Sequence, residues 1–258
     1  MTHADIPAST PRLSYQDETF LLSDDARAVR ILAEYLAPLA AFKKQHVHDT
    51  IVFFGSARQQ EDGAFERYYR GARELARLLT AWSKSLTNGG ERFIVCTGGG
   101  GGLMEAANRG AADAGGRTIG LNIGLPHEQR PNPYITPELN FEFHYFFMRK
   151  LWFAHLARAM VVFPGGFGTL DELFEILTLA QTGKLARKIH IVLYGSAYWK
   201  EILNFEALAR YGMISSEHLE LFRFADNPEE AFEWLQGVLP TGHEPSFPAF
   251  AKSVATPP

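Results

Sequence analysis

The sequence predicts an α/β protein built as a single domain around a doubly wound parallel sheet. From residue 50 onward, short runs of β-branched and aromatic residues alternate with amphipathic stretches, a pattern typical of repeated βαβ units. Three of the short runs end in small or glycine-rich turns. Because ligands bind outside the carboxyl ends of parallel strands, we expect these turns to meet at one edge of the sheet.

Each element is predicted from its own pattern. Buried-looking apolar runs give candidate strands at 50–54, 92–97, 117–122, 160–163 and 189–194, with two weaker ones at 141–145 and 221–224. Amphipathic stretches give candidate helices at 65–82, 103–114, 147–157, 169–182, 197–211 and 228–237. No internal repeat at a fixed period is visible, so one domain is expected over 21–243.

An N-terminal helical extension is expected ahead of the sheet, at about 24–42. Ser23, followed by two aspartates, is a plausible helix start. Apolar residues then recur at the spacing of one helical face, which predicts that this face packs on the domain: Val29, Leu32, Ala33 and Leu36. The segments 1–20 and 244–258 are predicted to be tails without chemistry.

Composition narrows the class of function. The net charge of −4 argues against nucleic acid as a partner, because proteins that grip a phosphate backbone carry a basic excess. The single cysteine, Cys96, excludes an internal disulfide and a multi-cysteine metal site. No apolar stretch approaches the roughly 18 residues that a membrane span needs, and the N-terminus lacks the apolar core of a signal peptide. We therefore expect a cytoplasmic protein without a membrane partner.

The first long glycine turn, at 98–102, joins a predicted core strand to the start of a helix. A turn without side chains that runs into a helix N-terminus presents backbone N–H groups and the positive end of the helix dipole to an anion. Gly98, Gly99 and Gly100 are therefore candidate phosphate contacts, as is Ser56 in the small turn after the first strand. The alternative is a tight turn that needs glycine only for its positive φ.

The second glycine turn reads Pro164-Gly165-Gly166-Phe167-Gly168-Thr169 and opens an amphipathic helix. We expect the Thr169 hydroxyl to cap that helix, which leaves the amides of Gly165, Gly166 and Gly168 free for phosphate oxygens. The alternative is a capped turn that holds no ligand.

Other nucleotide and metal motifs are missing. No window satisfies G-x-G-x-x-G, and the strand ending near Asn122 is not followed by an acidic residue for a ribose diol, so NAD binding is poorly supported. Gly183-Lys184 is followed by leucine, so it is not a Walker A loop. The histidines show no metal-ligand spacing, and no metal site is expected. The remaining possibility is a phosphate-binding protein without a redox cofactor or a transferable γ-phosphate.

Charged residues stand close to these turns in the sequence. Asp171 and Glu172 occupy the first helical turn after the second glycine turn, where a bound sugar phosphate would bring its reacting carbon within reach of a carboxylate. Arg149-Lys150 lies on the preceding helix, and an arginine can clamp phosphate or offset charge on a leaving group. The alternatives are acidic residues that only complement the helix dipole and a basic pair on a solvated helix face.

Over residues 51–182 the sequence resembles the LOG ("lonely guy") family of phosphoribohydrolases. The first glycine turn, closed by Gly102-Leu103-Met104, resembles one family signature. The hallmark Pro-Gly-Gly-x-Gly-Thr-x-x-Glu is intact from Pro164 to Glu172, and the Arg-Lys pair of the family corresponds to Arg149-Lys150. The resemblance implies a Rossmann-like fold, and about fifty residues precede the region that carries it.

The resemblance also implies a reaction and roles for residues. Relatives release a free base from a nucleoside 5'-monophosphate, some from cytokinin nucleotides or AMP, and leave ribose 5-phosphate. Arg149 and Glu172 would be the catalytic pair, Gly165, Gly166, Gly168 and Thr169 would hold phosphate with Lys150 and Asp171 beside them, and Glu128 resembles a loop glutamate near the ligand. Relatives are often dimers, so a homodimer or higher homo-oligomer is implied. No cofactor is required, and nothing indicates a pyridoxal-binding lysine, although some relatives are labelled lysine decarboxylases.

Two rival functions stay open on the sequence. A non-catalytic nucleotide or cofactor carrier on the same fold would need the same phosphate turns, since a fold does not establish chemistry. A dehydrogenase is weakened by the missing dinucleotide motif. The base that would be preferred, whether adenine, an N6-modified adenine or another, depends on a pocket whose side chains the sequence does not place.

Overall fold

The computed structural model describes residues 13–86, 91–124 and 130–241. Its centre is a seven-stranded sheet in which every pair of neighbouring strands is parallel, in the order β4-β3-β2-β1-β5-β6-β7. The strands are β1 Asp49–Phe54, β2 Phe93–Thr97, β3 Thr118–Ile123, β4 Asn140–Phe143, β5 Ala157–Val162, β6 His190–Tyr194 and β7 Phe222–Ala225. The predicted fold class and all seven predicted strands are confirmed.

Helices cover both faces of the sheet. They are α1 Glu18–Leu22, α2 Arg27–Lys44, α3 Glu66–Ser85, α4 Leu103–Asp113, α5 Phe146–Leu156, α6 Phe167–Gln181, α7 Ser196–Ile202, α8 Phe205–Arg210 and α9 Pro228–Val238. The single helix predicted at 197–211 is two helices. Asn204 separates them because its side chain accepts a hydrogen bond from the Ala207 N–H at 2.8 Å and starts a new helix.

The order of the strands places the ligand crevice. The chain builds β1 to β4 outward in one direction, and then α5 carries it back to β5 on the other side of β1. A parallel sheet is open to ligands where the winding direction reverses, outside the carboxyl ends of the two strands concerned. In this protein those strands are β1 and β5, and each is followed by one of the small or glycine-rich turns.

Two apolar cores lie on the two faces of the sheet. Alternate residues of β1 point to opposite faces, so Val52 joins one core and Ile51 joins the other. Trp152 of α5 and Trp199 of α7 fill the first core, and Leu75 of α3 belongs to the second. Burial of both faces explains why the strands read as continuous apolar runs in the sequence.

The N-terminal helix α2 is present, but it packs through a different face from the one predicted. Val29, Leu32 and Leu36 are about half exposed, whereas Phe42 is buried and Ile31, Tyr35 and Leu39 pack against the core. Two apolar stripes run along this helix, and packing against α5, β4 and the turn at 137–139 covers one of them. The predicted start at Ser23 was also wrong: its hydroxyl donates to the Phe20 carbonyl at 2.6 Å and ends α1, while α2 follows Ala26.

The predicted C-terminal tail at 244–258 lies outside the described residues. Within the described part of the chain, none of the helices combines the length and the apolar character needed to cross a membrane.

Candidate functional site

A cleft of about 680 Å³ opens at the carboxyl ends of β1 and β5, where the sheet order places a ligand site. Its walls come from the turn after β1, the turn after β5, the first turn of α6 and one face of α5. The predicted site residues among its lining are Ser56, Arg149, Gly165, Gly166, Gly168, Thr169, Asp171 and Glu172. Residues far apart in sequence are therefore brought to one edge, as the turn pattern predicts.

The second glycine turn forms the floor of this cleft. Helix α6 begins at Phe167, directly after Gly166, so the N–H groups of its first turn belong to the turn itself. A Cβ added at Gly166 or Gly168 would meet nothing within 4 Å, which shows that both positions face open space. An anion in the cleft would therefore meet backbone N–H groups and the positive end of the α6 dipole.

Thr169 does not have the predicted role of helix cap. It lies inside the first turn of α6 and is buried, and α6 has no side-chain cap. Its hydroxyl lies against Gly165, where a Cβ would collide with it, so glycine is required there for close packing. Tyr198 fixes the same turn by donating a hydrogen bond from its hydroxyl to the Gly165 carbonyl at 2.7 Å. Tyr198 also lines the cleft, and no local motif marks it in the sequence.

Ser56 connects three turns through its backbone. Its N–H donates to the Pro164 carbonyl at 3.0 Å, and its carbonyl accepts from the Leu103 N–H at 3.1 Å. Its hydroxyl accepts from the Arg58 N–H at 3.1 Å. Arg58 adds a positive charge to the cleft lining that sequence reasoning missed, because it stands in a loop without a recognisable motif.

The first glycine turn lies behind the cleft and not in its lining. Gly98, Gly99 and Gly100 are buried, and the Asn132 side-chain amide donates to the carbonyls of Gly99 at 3.2 Å and Gly100 at 3.0 Å. A Cβ at Gly98 would collide with the Arg149 guanidinium. In this structure the turn therefore supports Arg149 from behind, and direct phosphate contact by these three glycines stays a prediction.

A buried amide network that sequence reasoning missed holds that turn in place. Asn132 also donates to Asn108 Oδ1 at 2.9 Å, and Asn108 Oδ1 accepts from the Thr97 hydroxyl at 2.7 Å. The Gly99 N–H in turn donates to Thr97 Oγ1 at 3.0 Å. Gly99 has a φ of +76°, and a Cβ there would collide with the Asn122 side chain, so the turn requires glycine at this position. Asn108 and Asn132 are 24 residues apart, and nothing in the sequence indicates that they contact each other.

Arg149 projects from α5 into the cleft and is held on two sides. Its Nε–H donates to the Leu121 carbonyl at 2.8 Å, and its guanidinium carbon lies 5.2 Å from the centre of the Phe153 ring. Burial lowers the pKa of Arg149, while the nearby Glu172 carboxylate acts in the opposite direction. Arginine keeps its charge at any physiological pH, so the group is a fixed cation at the wall of the cleft.

Glu172 is the one carboxyl group of the lining that is almost fully buried, with 5% of its surface exposed. Burial raises its pKa to about 7, against the lowering effects of Lys150 and Arg149. Asp171 and Glu175 add smaller raising effects. A carboxyl group with a pKa near 7 exchanges protons at neutral pH, which suits a general acid or base.

Lys150 and Asp171 are engaged with each other. Lys150 Nζ lies 2.8 Å from Asp171 Oδ1 and 2.8 Å from Glu175 Oε2, so one lysine bridges two carboxylates of α6. Asp171 lines the cleft, whereas Lys150 is not part of the lining. The predicted ligand contacts of this pair stay predictions, and what the structure adds is a clamp between α5 and α6 beside Glu172.

The predicted loop glutamate, Glu128, lies outside the described residues. Over 13–86, 91–124 and 130–241, no group of three or more His, Cys, Asp or Glu side chains is arranged to hold a metal ion.

Comparison with known proteins places this site in a family. A family model described as possible lysine decarboxylase matches residues 104–235, just over half of the chain, including Arg149 and the second glycine turn. The chain belongs to this family, the LOG family. A relative in Oryza sativa subsp. japonica, named probable cytokinin riboside 5'-monophosphate phosphoribohydrolase LOGL3, is 28% identical over 74% of this chain and 84% of its own length.

Other LOG family relatives carry the same kind of name. Cytokinin riboside 5'-monophosphate phosphoribohydrolase LOG3 of Arabidopsis thaliana is 27% identical over 78% of this chain and 87% of its own length. The enzyme of that name from Rhodococcoides fascians is 28% identical over 55% and 68%. A solved structural-genomics target, TM1055, shares the fold with a TM-score of 0.53 and 21% identity, over 74% of this chain and 99% of that one.

Proposed function

We propose that the protein hydrolyses the N-glycosidic bond of a nucleoside 5'-monophosphate, releasing the free base and ribose 5-phosphate. The observation that carries this proposal is the pairing of a buried Glu172, whose pKa is raised to about 7, with the cationic Arg149 in one cleft beside the first turn of helix α6. The names of the LOG family relatives support the same reaction.

The 5'-phosphate would bind at the start of α6. Gly166 and Gly168 leave room for phosphate oxygens, and the helix dipole favours the negative charge. Arg58, also in the lining, supplies a further positive charge. Binding energy from this remote group would hold the ribose in place so that its anomeric carbon faces Glu172, which lies one turn further along α6.

The base would lie against apolar side chains of the cleft lining. Phe146, Phe167 and Met104 line it, and Phe167 is 92% exposed. An exposed aromatic ring at the mouth of a cleft can stack on the flat face of a base. This arrangement favours a planar aromatic leaving group without selecting among purines.

The bond changes balance with water as the only co-substrate. The C1'–N bond breaks and its electron pair leaves on the base, while the oxygen of water bonds to C1'. Ionised Glu172 stabilises the positive charge that develops on the ribose and accepts a proton from the attacking water. The departing base takes up a proton from solvent, and Glu172 releases the proton it accepted to solvent. Arg149 offsets the negative charge on the base before that proton arrives.

The direct test is release of base from a panel of nucleotides. Purified protein is incubated with AMP, GMP, CMP, IMP and N6-isopentenyladenosine monophosphate, and free base is quantified by chromatography. Glu172→Ala serves as the inactive variant. Glu201→Gln is the matched control, because this exposed glutamate lies on α7 away from the cleft lining.

We expect base release by the unchanged protein and by Glu201→Gln, and loss of release in Glu172→Ala. The preferred nucleotide then identifies the base. Tight binding of a nucleotide with no release of base would contradict hydrolysis and leave a carrier on the same fold. Equal release by Glu172→Ala would remove Glu172 from the mechanism.

A further inference from the structure

We propose that Glu34 of the N-terminal helix α2 is a positioning residue that fixes helix α5 and, through it, the Arg149 guanidinium. The expected effect on the rate rests on the proposed function. The positioning of α5 rests on contacts between α2 and α5.

The side chain of Glu34 holds the two residues that lead into helix α5. Helix α5 follows Tyr145, and Tyr145 makes no side-chain cap. Glu34 Oε1 accepts from the His144 N–H at 2.7 Å and Oε2 accepts from the Tyr145 N–H at 3.2 Å, so one carboxylate binds two successive amides at the start of the helix. A carboxylate at this position also interacts favourably with the positive end of the helix dipole.

The backbone of Glu34 holds α5 at a second point. Its carbonyl accepts the indole N–H of Trp152 at 3.0 Å, two turns further along the helix. Tyr35, the next residue, stacks on the Trp152 ring with 5.5 Å between ring centres. Two contacts from one residue, at the start of α5 and two turns into it, fix both the position and the rotation of this helix.

Arg149 lies between these two points of attachment. Its own N–H donates to the Tyr145 carbonyl at 3.2 Å, so it belongs to the first full turn after the amides that Glu34 holds. Its guanidinium must reach Leu121 on one side and the cleft on the other. A rotation or slide of α5 would move this group, and a displacement of about 1 Å at a reacting centre can cost on the order of 100-fold in rate.

The N-terminal extension would thus affect the rate of catalysis without lining the cleft. The residues before β1 contribute nothing to the cleft lining among the described residues. Through Glu34 and Tyr35 they contact α5, which carries Arg149. Glu34 touches no reacting group, so its effect must disappear when Arg149 is absent.

The test is a double-mutant cycle on base release. Glu34→Ala removes the acceptors, Arg149→Ala removes the guanidinium, and the double variant combines both changes. Arg30→Ala is the matched control one turn earlier on α2, because Arg30 donates to the carbonyls of Leu21 and Ser23 and not to α5. Glu34→Gln keeps one acceptor oxygen and is included to separate positioning from folding.

We expect Glu34→Ala to lower kcat by roughly 10- to 100-fold with little change in KM. Glu34→Gln should recover part of this loss, and Arg30→Ala should keep the full rate. In the Arg149→Ala background the loss from Glu34→Ala should shrink to about twofold or less. An equal loss in both backgrounds, or an unchanged kcat in Glu34→Ala, would overturn the inference.

A second readout does not depend on hydrolysis. Arg149 lowers the pKa of Glu172, so displacement of its guanidinium should raise that pKa in Glu34→Ala, as measured by a carbon-13 titration of the carboxyl group. A raised pKa in a protein that releases no base would support the positioning role and contradict the proposed reaction. Base release with an unchanged pKa and an unchanged kcat in Glu34→Ala would leave the reaction standing and reject the positioning role.

Discussion

The two ends of strands β1 and β5 each hold a buried carboxylate near arginine, but the two ends are built in opposite ways. At the amino ends, Asp49 forms ion pairs with Arg92 at 3.2 Å, Arg158 at 3.0 Å and Arg187 at 2.6 Å. All four side chains are at least nine-tenths buried. Three cations around one anion satisfy that carboxylate fully.

At the carboxyl ends, the Glu172 carboxyl group is buried beside the cleft, and the cost of burying its charge outweighs the help from Lys150 and Arg149. Its pKa is therefore raised to about 7. The Asp49 cluster therefore lies inside the protein, whereas the Glu172 carboxyl group lies beside a cleft that a ligand can enter. At one end the buried carboxylate is paired with arginines, so that removing it is costly, and at the other end burial leaves a carboxyl group with a raised pKa.

The largest expected effect is a loss of activity at Glu172 that has no counterpart at Asp49. Glu172→Gln keeps the size of the side chain but removes the proton acceptor, so we expect base release to fall by about 10²- to 10⁴-fold. Asp49→Asn should keep kcat within about twofold when rates are expressed per folded molecule. Steady-state assays with AMP measure both variants. A comparable loss of kcat in folded Asp49→Asn would break the distinction.

The next largest expected effect is a loss of stability when the Asp49 carboxylate is removed. Asp49→Asn removes the buried carboxylate charge that Arg92, Arg158 and Arg187 share, so we expect the free energy of unfolding to fall by about 3–5 kcal/mol. Urea unfolding followed by circular dichroism measures it. A change below about 1 kcal/mol would mean that the cluster contributes no more than a surface ion pair.

Glu172→Gln should change stability in the opposite direction, and in a pH-dependent way. The pKa of Glu172 in the folded protein lies above its ordinary value of 4.5, so its stabilising contribution is complete below about pH 4.5 and is lost as the pH rises through about 7. Glutamine does not titrate. The variant should therefore gain on the order of 3 kcal/mol relative to the unchanged protein between pH 4 and pH 8. Urea unfolding at both pH values tests this, and a constant difference would contradict it.

The smallest expected effect concerns an aromatic side chain at the mouth of the cleft. Phe167 is almost fully exposed, so Phe167→Ala should change the free energy of unfolding by no more than about 0.5 kcal/mol. If the ring stacks on the base, KM should rise in the same variant. Thermal unfolding and steady-state kinetics measure the two quantities. An unchanged KM would remove Phe167 from base recognition.

Local patterns were enough to predict the sheet and the cleft. Alternation of apolar runs with amphipathic stretches gave the strands, and the turns after β1 and β5 gave the edge at which Arg149 and Glu172 meet. Periodicity failed for α2, because the stripe containing Leu32 and the stripe containing Tyr35 have the same spacing. Packing against α5 and β4, which are distant in sequence, buries the second stripe.

Contacts between distant parts of the chain could not be predicted. Arg187 meets Asp49 across 138 residues, and Asn132 meets Gly100 across 32, without any motif that links the partners. The helix predicted to start at Thr169 starts at Phe167, because the glycine turn itself supplies the first helical residues. The raised pKa of Glu172 depends on burial, which exists only in the folded chain.

The central claim is that the buried carboxyl group with a pKa near 7 is the group that drives hydrolysis. The most direct measurement compares kcat/KM for AMP from pH 5 to pH 9 with a carbon-13 titration of the Glu172 carboxyl group in the same protein. Because the ionised form is required, kcat/KM should fall about tenfold per pH unit below a midpoint near 7 that coincides with the titration. A Glu172 titration near pH 4.5, or a rate profile whose midpoint differs clearly from the titration, would contradict the claim.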